Sequence, residues 1–157
     1  PPSSVAKALV PLLEQAGLTM EVEAVSEEWL AQLVVLVKER AKTLVDMVEW
    51  VKPYFGQVAP FEEEAAKKFL TPAVAPLLQR LVTRFEAFPS FSKPAWEESF
   101  KKLVEEEGIK MGALAQPVRV ALTGRTASPG LFEVMEVLGR ERTLFRLRKG
   151  IERASIA

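Results

Sequence analysis

Apolar residues recur along this chain at intervals of three and four, the spacing that puts side chains on one face of an α-helix. Val5, Leu9, Leu12 and Leu13 form the first stripe, with Ser3 or Ser4 as a cap, a kink expected at Pro11 and a stop at Gly17. Ser26 opens a second stripe through Trp29, Leu30, Leu33, Val34 and Val37. Thr43 opens a third through Leu44, Met47, Val48 and Val51, closed by Pro53. A short fourth helix is expected over 62–70, with three glutamates at its start. Thr71-Pro72 then looks like an N-cap followed by proline at the first helical position, ahead of Val74, Leu77, Leu78, Leu81, Val82 and Phe85. The pattern breaks at Phe88-Pro89-Ser90-Phe91-Ser92, so two helical subdomains are expected, 1–90 and 91–157.

Beyond that break, Trp96, Phe100, Leu103 and Val104 make another stripe, which Gly108 ends. The stretch 110–138 predicts two helical segments joined by a polar loop, the first ending at Gly124 and the second opening on Ser128-Pro129-Gly130. A last helix over 140–153 has Leu144, Leu147 and Ile151 on its apolar face. On the same helix Arg142, Arg146, Lys149 and Arg153 predict one basic ridge. No stretch alternates apolar and polar residues long enough for a strand; Val118-Arg119-Val120 alternates for only three positions. The predicted fold class is all-α.

Composition narrows the chemistry. The chain has no cysteine and no histidine, which removes disulfides, thiolate nucleophiles, zinc sites built on Cys or His, and histidine acid–base catalysis. Asp46 is the only aspartate, and no Asp-rich loop is present to hold a metal, so neither a catalytic nor a metal site is expected. The lack of cysteine suits a cytoplasmic location. No apolar run reaches the roughly 18 residues of a membrane span. The start, Pro1-Pro2-Ser3-Ser4, is what a piece cut from a longer protein would show.

A formal net charge of zero conceals a polarity. From Gly108 onward there are 9 Lys/Arg against 4 Glu, and upstream 12 Lys/Arg against 17 acidic residues. One end of the chain therefore suits an anionic partner, although unequal halves can equally be solvated faces.

Arg119 and the loop after it are the strongest candidates for binding chemistry. Arg119 interrupts an apolar run; its planar fork could meet a base edge or phosphate, or pair within the core. Ser128 is expected to be an N-cap and Pro129 to lack only an N–H that a helix start leaves unused. Gly130, in a first turn, sacrifices about 1 kcal/mol of helix propensity relative to alanine. Close approach of a ligand to the backbone would justify that glycine, and so would relief of crowding. Free N–H groups beside an arginine favour anions or acceptor groups. Arg125 is either a solvated charge or a phosphate contact. The ridge from Arg142 to Arg153 is either a phosphate-binding surface or an ordinary solvent face. Trp29, Trp50, Trp96, Met111 and Met135 are expected to be core residues.

The run IKMGALAQPVRVALTGRTASPGLFEVMEVLGRERTLFRL resembles the C-terminal anticodon-binding region of the bacterial glutamyl-tRNA synthetases. The match is dense over 96–153, taking in the QPVRVALTG element, the SPGLFEV helix start and the LGRE turn, and looser over 5–88. Ser128 stands where the family often has threonine, which keeps the hydroxyl.

The resemblance implies an α-helical cage around the anticodon loop of the glutamate tRNA, whose unstacked bases are open to direct reading. It implies that Arg119 reaches the first anticodon base and that Ser128, Pro129, Gly130 and Leu131 meet the bases through backbone groups and packing. Arg125 joins these as an RNA contact, and the ridge beyond Arg140 is left at most with steering phosphates. The catalytic half of such an enzyme needs HIGH-type and KMSKS-type sequences. A chain without histidine has no HIGH, and Lys110-Met111-Gly112 is a chance likeness to KMSKS. The chain is thus expected to act as a monomer that binds tRNA and holds no cofactor, with ATP and Mg²⁺ belonging to the parent ligase. The alternative is a helical protein–protein interaction module that uses the same scaffold without RNA.

Overall fold

A computed structural model describes residues 1–156, and every regular element among them is helical. The chain forms two compact units, Pro1–Gly56 and Gln57–Ala157.

The first unit comprises α1 (Pro2–Gln15), α2 (Thr19–Glu23), α3 (Glu27–Val37), α4 (Leu44–Val51) and a 3₁₀ turn at Lys52–Tyr54. Helix α1 packs on α3 and α4 and buries Ala6, Leu9 and Leu13 fully. Leu30, Leu33, Val37 and Val51 meet them, and Trp29 lies edge-on to Phe55 with ring centroids 5.5 Å apart. Two of the expected caps form: Ser26 Oγ accepts from Trp29 N–H and Thr43 Oγ1 from Asp46 N–H, both at 3.0 Å. The first cap does not, because α1 starts at Pro2, where a fixed φ suits the first helical position, and Ser3 and Ser4 lie inside the helix. Helix α2 has too few apolar positions to register as a periodic stripe.

The second unit comprises α5 (Glu63–Phe69), α6 (Ala75–Glu86), α7 (Lys93–Glu107), α8 (Met111–Thr123) and α9 (Leu131–Ser155). Helix α9 is the axis, packed against α6, α7 and α8. It bends sharply at Gly139, whose φ of 83° and ψ of 166° are non-helical, and the Thr143 hydroxyl donates across the bend to Met135 O at 3.5 Å. Helix α5 has Glu63 and Glu64 in its first turn and Lys67 and Lys68 in its last, complementing the dipole at both ends. Helix α6 begins later than the Thr71-Pro72 signal suggests: residues 72–74 form a turn, and Pro76 takes the early helical position that Pro72 was expected to hold. Met111, expected in the core, is 44% exposed at the first turn of α8, while Met135 is fully buried.

The expected division near residue 90 is not where the compact units separate. Trp96 of α7 stacks on Phe85 of α6 with ring centroids 4.0 Å apart, and both rings are fully buried. Arg140 of α9 donates to Phe88 O at 2.9 Å and Glu86 O at 3.4 Å, capping the end of α6. Residues 88–92 are therefore a turn inside one core. A proline- and serine-rich stretch marks a chain reversal equally well in both cases, and only the packing across it distinguishes them.

This division has a measurable consequence. A fragment covering 57–157, whose only tryptophan is Trp96, should unfold in urea in one cooperative transition, followed by circular dichroism and blue-shifted tryptophan emission. A fragment covering 91–157 loses the Phe85 side of the stack and should show no such transition.

Candidate RNA-binding site

The site is built on the C-terminal end of α8, the loop 124–130 and the first turn of α9. Arg119 is half-buried on α8. Its Nε donates to Ser128 Oγ at 2.9 Å and its Nη1 to Gln116 Oε1 at 3.1 Å. The Ser128 hydroxyl donates in turn to Pro129 O at 2.7 Å. Two corners of the guanidinium plane are thus held by neutral groups, which set its orientation.

Thr123 organises the end of the helix. Its side chain is 1% exposed; its hydroxyl donates to Arg119 O at 2.8 Å and accepts from Arg125 N–H at 3.1 Å. Arg119 and Arg125 are therefore linked through one buried oxygen. Gly124, with φ of 78°, closes the helix in the left-handed conformation. It also admits a backbone neighbour: a Cβ built there would stand 2.1 Å from Pro60 O, while Glu62 N–H donates to Gly124 O at 2.9 Å.

The helix start at α9 differs from the expectation. Gly130, not Ser128, is the N-cap residue, and the Ser128 hydroxyl serves Arg119 instead. Glu133, three residues on, folds back so that its carboxylate lies about where a Gly130 side chain would be, 2.9 Å from an ideal Cβ. A carboxylate over the first turn already complements the positive end of the helix. Of the two ligand classes expected at this turn, anions and acceptor groups, the carboxylate opposes the first. That carboxylate is the far end of a flexible side chain, so crowding there is cheaply relieved and does not by itself require the glycine.

Of the six expected residues, Arg119 and Arg125 are half-buried, Gly130 is exposed, and Ser128, Pro129 and Leu131 are buried. The first three present surface, and the others support it from beneath. Alongside lies a groove of about 700 Å³ lined by Glu62, Glu63, Glu64, Lys68, Gln116 and Thr126 among others. Its glutamates disfavour a phosphate backbone and can accept hydrogen bonds from amino groups.

The expected basic ridge is interrupted: Arg146 drops out of it, while Arg142, Lys149 and Arg153 are half-buried. Arg146 is fully buried; Arg142 donates to Leu138 O at 3.2 Å, and its burial holds the guanidinium below its ordinary pKa. Lys149 pairs with Glu152 and Arg153 with Glu63, both at 3.2 Å. Periodicity identified a face of α9 but not that α6 and α8 enclose the helix on more than one side. Gln116, Thr123 and Glu133 went unnoticed in the sequence. Gln116 at three residues before Arg119, and Glu133 at three after Gly130, were the available signals.

The two glycines at bends separate close approach from conformation. Gly139→Ala has no atom within 4 Å of its Cβ and is opposed only by its φ of 83° and ψ of 166°, a region nearly confined to glycine, so it should cost about 1–3 kcal/mol. Gly124→Ala meets Pro60 as well and should cost more, about 3 kcal/mol or above, read from urea midpoints at unchanged m-value.

Residues 4–151 match the family described as "Anticodon binding domain". A glutamate–tRNA ligase of Geotalea uraniireducens is 41% identical over 150 residues, covering 96% of this chain and 31% of that protein. A glutamate–tRNA ligase of Geobacter sulfurreducens is also 41% identical over 150 residues, with the same coverage of 96% and 31%. Among solved structures, a glutamate tRNA ligase from Elizabethkingia meningosepticum in complex with its amino acid superimposes with a TM-score of 0.75 at 32% identity, over 94% of this chain and 29% of that one. The glutamate–tRNA synthetase of Elizabethkingia anophelis gives 0.70 at 31% identity. The chain thus spans about three-tenths of the length of these relatives. It belongs to the anticodon-binding-domain family, in the form it takes within the glutamate–tRNA ligases.

Proposed function

We propose that this chain recognises the anticodon loop of the glutamate tRNA and holds that tRNA for ATP-dependent glutamylation by a catalytic domain outside these residues. The observation that carries the reading is the Arg119 guanidinium, half-buried and oriented by Ser128 and Gln116 at the surface of the α8–α9 turn. A rigid planar fork of donors is suited to a base edge, where geometry selects among bases, more than to a phosphate, where charge alone suffices. Gly130, exposed beside it, allows a base to come against backbone. Arg125 lies half-buried at the rim of the same turn, its backbone N–H bonded to the Thr123 hydroxyl. ATP and Mg²⁺ act in the parent ligase and are assigned no residue here.

Titration of the chain with glutamate tRNA and with an anticodon-swapped control tests the reading. The cognate RNA should bind more tightly, and Arg119→Ala should weaken that binding by about 1–3 kcal/mol while relaxing discrimination at one anticodon position. Arg125→Ala should weaken both RNAs alike and lower the slope of log affinity against log salt by about one, as loss of a phosphate contact does. Equal binding of the two RNAs by the unaltered chain would refute the proposal.

A further inference from the structure

We infer that Arg146 is a positioning residue for the reading turn, acting from inside the protein on Arg119 and Arg125 without touching RNA; this rests on the RNA-reading role proposed above. Arg146 has no exposed surface and is among the largest fully buried side chains of the chain. A buried guanidinium is expensive to desolvate and is retained only where its donors are needed. Here Nη1 donates to Leu122 O at 2.6 Å and Nε to Gln57 O at 3.3 Å.

Both acceptors belong to the frame of the turn. Leu122 lies in the last turn of α8, where carbonyls have no intrahelical donor and the helix dipole is negative. Gln57 begins the segment that reaches Pro60 and Glu62, the two residues closing over Gly124. Arg146 therefore joins the end of α8 to the segment packed on its cap. The next residue after Leu122 is Thr123, whose hydroxyl binds Arg119 O and Arg125 N–H. A displacement of Leu122 is passed within one residue to both arginines. Gly150, one turn further along α9, lets the helices approach closely: a Cβ there would stand 2.7 Å from Ala121 Cβ. The clamp thus sits where α8 and α9 have least freedom to slide. Lysine keeps the charge but offers a compact ammonium that cannot address two separated carbonyls in one plane.

The test uses Arg146→Lys and Arg146→Met in the 157-residue chain, titrated with cognate and anticodon-swapped RNA at two salt concentrations, with the folded fraction measured in parallel. A purely structural role lowers the folded fraction and weakens both RNAs by the same factor. A positioning role lowers the cognate-to-swapped ratio by about tenfold in Arg146→Lys, the lower end of what one bidentate base contact supplies. The salt slope should stay unchanged, because Arg146 meets no phosphate. An unchanged ratio in a folded variant, or a slope reduced by about one, would overturn the inference. If neither variant folds, arginine side-chain NMR of the unaltered chain decides: Arg146 Nε–H should exchange slowly and stay unmoved on addition of cognate RNA while the Arg119 signal shifts. Rapid exchange at Arg146, or an RNA-induced shift as large as that of Arg119, would overturn it. If the unaltered chain fails to discriminate the two RNAs, the anticodon-reading role falls and this one with it. Discrimination that survives Arg146→Lys removes this one alone.

Discussion

Helix α8 ends in the interior, and a buried helix end leaves carbonyl oxygens that must find donors. Four donors from three places in the second unit bond to carbonyls around this end. Gly124 turns the chain left-handed and returns its N–H to Val120 O; the Thr123 hydroxyl takes Arg119 O; Arg146 takes Leu122 O; Glu62 N–H takes Gly124 O. The loop that follows is consequently fixed at its root, and Arg119 leaves the helix in one orientation. The surface proposed to meet RNA is set by how the backbone beneath it is satisfied.

The distribution of charge has a similar internal explanation. The excess of cations after Gly108 suggests an electrostatic footprint, yet many of these groups are engaged within the chain. Arg140 caps α6, Arg148 pairs with Glu86, Arg153 with Glu63, and Lys149 with Glu152. Arg80 and Arg84 similarly reach Glu107 and Glu106. Exposed pairs of this kind add about 0–1 kcal/mol each and mainly fix side-chain geometry. With Glu133 over the α9 start and glutamates along the neighbouring groove, the turn carries a mixed potential. Selection by hydrogen-bond geometry suits such a surface better than attraction of a polyanion.

Much of this was legible in the order of residues. Helix identity, the caps at Ser26 and Thr43, and the stops at Gly108 and Gly124 follow from rules that act within four residues. Placement of the candidate residues on two helices and one loop followed as well. The errors share a cause. Ser128 looked like a cap because a serine before Pro-Gly resembles one, but an arginine nine residues earlier takes its hydroxyl. The ridge from Arg142 to Arg153 looked solvated because a single helix has an outside; α9 runs through the middle of its unit. The turn at 88–92 looked like a linker because nothing local records that Phe85 and Trp96 stack across it.

By itself the sequence determined an all-helical chain, the limits of most helices and the absence of thiol and imidazole chemistry, and it pointed to the segment proposed for recognition. Propensity, capping and periodicity are short-range, so they are written in neighbouring residues. Only the tertiary structure decided which arginines face solvent, which hydroxyls are already bonded, and where the compact units divide. Those outcomes depend on desolvation and on partners tens of residues away: Gln57 and Arg146 meet across 89 positions of sequence, and no local pattern encodes that contact.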